Sequence, residues 1–348
     1  MKNASTGRWM RFILTIIVFG LPSLASAQLT FNSVVVFGDS LSDPGNAFAL
    51  ITHPIAGLTH TAYVNQNTPP YDVLDAEFFV PSSPYARGGH HFTNGATWIE
   101  QYAKGKRFAP DVAAAFQSSG SKARNYAVGG ARATVYPGRV NLPQQVDAFL
   151  TDVGGNAPAD ALYVIEIGGN DISDALTKFG TVLAQTGDQN QAALAAQGVI
   201  SDALAGIAGN IQALYNAGAR KFLVWNAAKL ELIPAVTAQG PAAVLVAGGL
   251  SAGFNQALVQ NVLTPLGALP DIQIAQLDIA SRMAYIISHP GEFGLTNVTT
   301  PCITPNMPPF TCQQPDQYFF WDGLHPTKAV HAIISQLAAD TLAQYPTP

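Results

Sequence analysis

Five short runs, residues 33–37, 123–128, 161–167, 221–226 and 271–278, are apolar at their centres, rich in β-branched or aromatic side chains, and closed by glycine or a polar cluster. Such runs read as buried strands. Between them the apolar positions change period. Ile200, Leu204, Ile207, Ile211 and Leu214 fall at alternating spacings of 4 and 3 and stop at Asn216-Ala217-Gly218. That is an amphipathic helix packed on a sheet, with a glycine C-cap. Further helices are expected over 97–102, from Leu142 with Val146, Phe149 and Leu150 on one face, and around Leu250, Phe254, Leu258 and Val262. A last one carries Ala329, Val330, Ile333, Ile334 and Leu337. Strand and helix alternating in this way predict an α/β fold, a five-stranded parallel sheet with helices on both faces. No linker or internal repeat divides the chain, so residues 28–348 read as a single domain.

Two segments break the rhythm. Residues 42–95 and 281–318 show little periodicity and many Pro, Gly and Asn, and they read as long loop insertions. The aromatics Tyr63, Tyr71, Phe78, Phe79, Tyr85 and Phe92 imply that the first is ordered. His90-His91 is a poor metal site, because adjacent side chains diverge and no carboxylate stands at helical spacing. No metal or other cofactor is expected.

The N-terminus follows a different grammar. Lys2, Arg8 and Arg11 precede an apolar run over 12–19, then Ala25-Ser26-Ala27. These are the parts of a secretory signal peptide, residues 1–27, and the apolar run is too short to span a bilayer comfortably. The expected product is secreted, extracellular or periplasmic, without stable membrane insertion. Charged residues make up 11% of the chain and the net charge is −5. This balance argues against nucleic acid, which needs a clustered basic surface. Cys302 and Cys312, close in sequence, are expected to pair in an oxidising compartment.

In a parallel α/β sheet the C-terminal strand ends share one rim, where ligands bind. Polar residues gather there: Ser40 after the first strand, Gly129-Gly130 after the second, Asn170 after the third, and Asp322 with His325 before the last helix. Each alone is an ordinary turn or cap residue. Together they supply what acyl transfer needs. Serine requires an adjacent base, and His325 can serve, with Asp322 three residues earlier fixing its tautomer. The oxyanion of a tetrahedral intermediate needs donors, available from the N–H of Ser40, the N–H of Gly130 or Gly129, and the Asn170 amide. Asp39 reads as a structural turn residue.

Gly38-Asp39-Ser40-Leu41-Ser42-Asp43, Asn125-Tyr126-Ala127-Val128-Gly129-Gly130-Ala131, Gly168-Gly169-Asn170-Asp171 and Asp322-Gly323-Leu324-His325-Pro326-Thr327 resemble, in order, the blocks of the SGNH, or GDSL, hydrolase family. The resemblance implies a flavodoxin-like three-layer α/β/α sandwich. It also implies Ser40 as nucleophile, His325 as base, Asp322 as its partner, and an oxyanion hole of Ser40, Gly130 and Asn170. The aromatic lead-in Phe319-Phe320-Trp321 is similar to that of phospholipase- and acyltransferase-like members. The unrelated α/β-hydrolase elbow is not matched, since its second glycine is missing. The expected activity is cleavage of carboxylic esters through an acyl-enzyme, as an esterase or lipase acting on small-molecule or lipid esters. Alternatives are a lipid acyltransferase or phospholipase A using the same site, a carbohydrate acetyl esterase, and a catalytically dead binding protein.

Overall fold

β1 (Ser33–Gly38) sends Val34 and Val36 into one apolar layer and Val35 and Phe37 into another, because successive side chains alternate across a sheet covered on both faces. The computed structural model describes residues 30–59, 90–117, 122–303 and 312–344, together with Met1. The signal segment 1–27 beyond Met1, and Tyr63, Tyr71, Phe78, Phe79 and Tyr85, lie outside the described residues.

β1 pairs in parallel with β2 (Ala161–Glu166), β2 with β3 (Lys221–Trp225), and β3 with β4 (Gln273–Leu277). The register sets Gly38 beside Glu166 and Trp225 beside Leu277, so all four strands end on one rim. The expected fifth strand is present only as an edge segment, and the sheet among the described residues has four strands. Residues 124–128 follow β1 through Val36 N–H to Arg124 O, Tyr126 N–H to Val36 O and Val128 N–H to Gly38 O. It falls short of a regular strand, bridging only at Asn125, whose side chain accepts the N–H of Ala127 and donates to Ser42 O. Counting that segment as second, the spatial order is 2-1-3-4-5, the flavodoxin-like arrangement.

The helices supply the outer layers. α1 (Asn46–Thr52) lies inside a stretch expected to be loop; its first turn is held by Asp43, whose carboxylate accepts the N–H groups of Gly45, Asn46 and Ala47. α2 (Trp98–Ala103) starts from a Thr97–Glu100 capping box, and α3 (Leu142–Asp152) from Asn141 with Pro143 in its first turn. The long helical region before β3 is two helices, α4 (Gly169–Thr186) and α5 (Gln189–Asn216). They are separated by Gly187 in the left-handed region and by Asp188, which caps α5. All five periodic residues, Ile200 to Leu214, are buried in α5.

α6 (Pro234–Thr237) and α7 (Pro241–Ala257) follow β3, and α7 runs through a π-helical stretch, Leu258–Leu263, into α8 (Thr264–Leu266). α9 (Ile279–Ser288) replaces the start of the second expected loop. Asp278 caps it, and Ile279, Met283 and Ile286 form its buried stripe. α10 (Lys328–Gln344) closes the chain. α3, α4, α5 and α7 cover one face of the sheet, and α2, α9 and α10 the other. The result is the expected α/β sandwich of three layers.

Candidate active site

The chain leaves β1 at Gly38 and turns at once. Asp39 Oδ1 accepts the N–H of Leu41, and the N–H of Ser42 donates to Asp39 O, which sets Ser40 at the turn's apex on the sheet rim. A second loop meets it from the far end of the sequence. Asp322 Oδ1 accepts the N–H groups of Leu324 and His325, a tight Asx turn, and Asp322 Oδ2 lies 2.7 Å from His325 Nδ1. His325 Nε2 is 2.8 Å from Ser40 Oγ. With Asp322 ionised, Nδ1 carries the ring proton and Nε2 is the acceptor facing the serine hydroxyl.

Burial lowers the His325 pKa, but the Asp322 charge and hydrogen bond, with help from Asp39, outweigh it and leave the imidazole above its ordinary value. Backbone pairing braces this loop: Trp321 N–H donates to His325 O, Cys302 N–H to Phe320 O, and Ile303 N–H to Trp321 O. Cys302 is disulfide-bonded to Cys312, so the expected pair forms, and it ties the strap lying against Phe320 and Trp321.

The donors gather on the other side of Ser40. Gly129 N–H is taken up by Asp43 Oδ2 at 2.8 Å, whereas the N–H groups of Ser40 and Gly130 have no acceptor among the described residues. Gly130 has φ of 76°, a conformation that favours glycine, and Arg132 Nη1 holds its carbonyl at 2.6 Å. A Cβ on Gly129 would run into the Phe92 ring, which itself lies 5.4 Å from the His325 ring between centroids. Asn170, at the start of α4, donates Nδ2 to Ala131 O at 3.0 Å and to Asp39 Oδ2 at 3.2 Å.

All six residues expected at the site, Ser40, Asp322, His325, Gly130, Asn170 and the alternative Gly129, therefore meet on one rim. His90 and His91 do not join them. His90 stacks on Phe48, and His91 Nε2 pairs with Glu100 at 2.9 Å.

Glu166 belongs to none of the sequence motifs. It is the one charge in an otherwise apolar strand, which is the signal that marks it, and it stands buried beside Asp39. A cavity of about 160 Å³ opens from Ser40, Asn170 and His325 and runs between the sheet and the α9–α10 layer. Trp225, Met283, Ile286, Phe320, Val330 and Ile334 are among its walls.

The sequence profile described as GDSL-like Lipase/Acylhydrolase matches residues 34–338. The chain belongs to this family. It is 29% identical to one GDSL esterase/lipase of Arabidopsis thaliana, over 90% of this chain and 83% of the relative. It is 23% identical to a second from the same plant, over 94% and 92%. Among solved structures it is similar to an extracellular lipase from Streptomyces rimosus, at 15% identity and a TM-score of 0.40, covering 89% of this chain and 99% of that one. As a GDSL family member the protein is a carboxylic ester hydrolase.

Proposed function

We propose that this hydrolase is exported and works through a Ser40–His325–Asp322 triad, and that it cleaves esters with an apolar acyl group. The observation that carries the reading is the unbroken hydrogen-bonded line from Ser40 Oγ through His325 to Asp322, 2.8 and 2.7 Å. Ser40 attacks the ester carbonyl while His325 Nε2 takes its proton, and Asp322 stabilises the imidazolium. The N–H groups of Ser40 and Gly130 with the Asn170 amide receive the oxyanion. His325 then returns the proton to the departing alcohol, and water repeats the cycle on the acyl-enzyme. No part of this sequence calls for a cofactor.

The cavity argues for the acyl class. An apolar space of about 160 Å³ is the size that holds roughly six carbons, as a dry cavity of ~150 Å³ holds benzene. An acetylated carbohydrate would leave it unfilled. The disulfide fits folding in an oxidising compartment, as does the signal-like start, and residues 28–348 form the proposed single domain.

The test is Ser40→Ala on p-nitrophenyl esters from acetate to palmitate, with a fluorophosphonate label. Parent enzyme labelled at Ser40 and a folded variant with neither label nor turnover is the expected result. A variant that hydrolyses like the parent overturns the triad, and a profile highest at acetate overturns the acyl class.

A further inference from the structure

Two buried carboxyls meet directly beneath the nucleophile turn. Glu166 ends β2 and Asp39 follows β1, and the pairing of Gly38 with Glu166 brings them together. Glu166 Oε2 accepts the N–H of Asp39 at 3.3 Å, and a Cβ on Gly38 would lie 2.8 Å from the same oxygen. Both residues are at most 4% exposed. Two neighbouring carboxyls this deeply buried are not stable when both are ionised, so the pair retains one proton.

The surroundings say where it rests. Asp39 is the better placed to be charged: burial raises its pKa, but Leu41 N–H donates to Oδ1, Asn170 Nδ2 donates to Oδ2, and the Arg132 guanidinium favours its ionised form. Glu166 has, among the described residues, the Asp39 N–H and the Ser42 hydroxyl, which in turn accepts from Trp98 Nε1 at 2.9 Å. Burial pushes the Glu166 carboxyl well above the usual range, and the Asp39 charge pushes it further.

We propose that Glu166 is a positioning residue: it carries the shared proton, donates it in a hydrogen bond to Asp39, and so holds both the Ser40 turn and the Asn170 amide in register for the oxyanion. Asp39 is the link between the two, since its N–H binds Glu166 while its Oδ2 binds Asn170. One shared proton also limits the pair to a single negative charge. A second would face the oxyanion, loosen the Glu166–Asp39 contact and shift Ser40. The titratable or charged groups facing the pair are His325 from the loop before α10 and Arg132 from the loop after residues 124–128; α3 contributes only the neutral Gln145, which brackets Gly38 at both its N–H and its carbonyl.

The kinetic consequence rests on the Ser40 reading; the spectroscopic one does not. In Ser40→Ala protein at neutral pH, infrared difference spectra against the Glu166→Gln double variant should show one protonated-carboxyl band that Glu166→Gln removes. In otherwise intact enzyme, kcat should fall on an alkaline limb as the pair loses its proton. Glu166→Gln, which mimics the protonated acid, should abolish that limb. Glu166→Leu should lower kcat about tenfold to a hundredfold, with KM little changed, and Glu166→Gln should restore most of the loss. If Glu166→Leu does not fold, the pH profile of Glu166→Gln decides. An unchanged alkaline limb in Glu166→Gln, or no difference band, overturns the proposal. Absence of any Ser40-dependent turnover alongside an intact band overturns the triad and leaves the shared proton standing.

Discussion

Asp43 Oδ2 accepts the backbone N–H of Gly129 at 2.8 Å, joining the turn after β1 to the glycine turn across the rim. The same oxygen accepts Ala47 N–H, and Oδ1 accepts Gly45 and Asn46. Burial pushes the Asp43 carboxyl up to about 6 despite these four donors. One fully buried side chain thus starts α1 and positions the peptide next to Gly130. Asp43→Asn keeps the Oδ1 bonds but turns an amide N–H₂ toward two N–H donors. We expect it to cost about 2–3 kcal/mol in urea melts and to lower kcat. A variant as stable and as fast as the parent would remove Asp43 from this account.

Asn170 is bound at rest to Asp39 and Ala131, so in the proposed mechanism the oxyanion competes for one of its N–H groups. Asn170→Ala removes that donor and should lower kcat by about 10²–10³-fold with little change in KM. Steady-state kinetics on one activated ester suffice; a loss confined to KM would place the amide in ground-state binding instead.

The pH dependence of kcat/KM follows from His325. Its pKa in the folded protein lies above the ordinary 6.5, and the neutral form is the one able to take the serine proton. On this acid limb activity should fall tenfold per unit as pH drops below that raised pKa. A rate that stays level from pH 8 down to 5 contradicts the assignment.

His331 predicts a separate acid sensitivity, of stability rather than rate. It is fully buried, accepts the N–H of Trp98 at Nδ1, and burial, with His325 and His91 nearby, pushes its pKa down to about 3. Unfolding restores the ordinary value. The unfolded chain therefore binds a proton that the folded one refuses, between pH 6.5 and about 3. This residue's contribution is fully present above 6.5 and is lost at about 1.4 kcal/mol per pH unit below it. Denaturant melts of parent and His331→Gln across pH 7 to 4 should converge as pH falls. Parallel curves would show that His331 is not the group responsible.

Much of this is legible in the sequence, for reasons that differ by residue. The strands carry buried-run signals, and α5 announces itself through Ile200 to Leu214. α1 did not, because it is a short helix nucleated by one carboxylate rather than by a long apolar stripe. α9 had a cap in Asp278 and a stripe in Ile279, Met283 and Ile286, but both were hidden by the proline-rich stretch that follows. Ser40, Asn170, Asp322 and His325 could be placed because each sits just past a strand or just before a helix. Glu166 could not, since its meaning depends on register: only the pairing of Gly38 with Glu166 sets its carboxyl against Asp39. The edge segment reads as a strand because its apolar run is strand-like, and it does hydrogen-bond to β1, but it bridges regularly only at Asn125.

Ser40 and His325 touch across 285 positions of sequence. The serine follows the first strand and the histidine directly precedes the last helix, so the two meet only once both ends of the domain are packed together. On the proposed triad, folding is then also the activation step: a chain whose C-terminal segment has not docked carries at Ser40 a hydroxyl as unreactive as any surface serine.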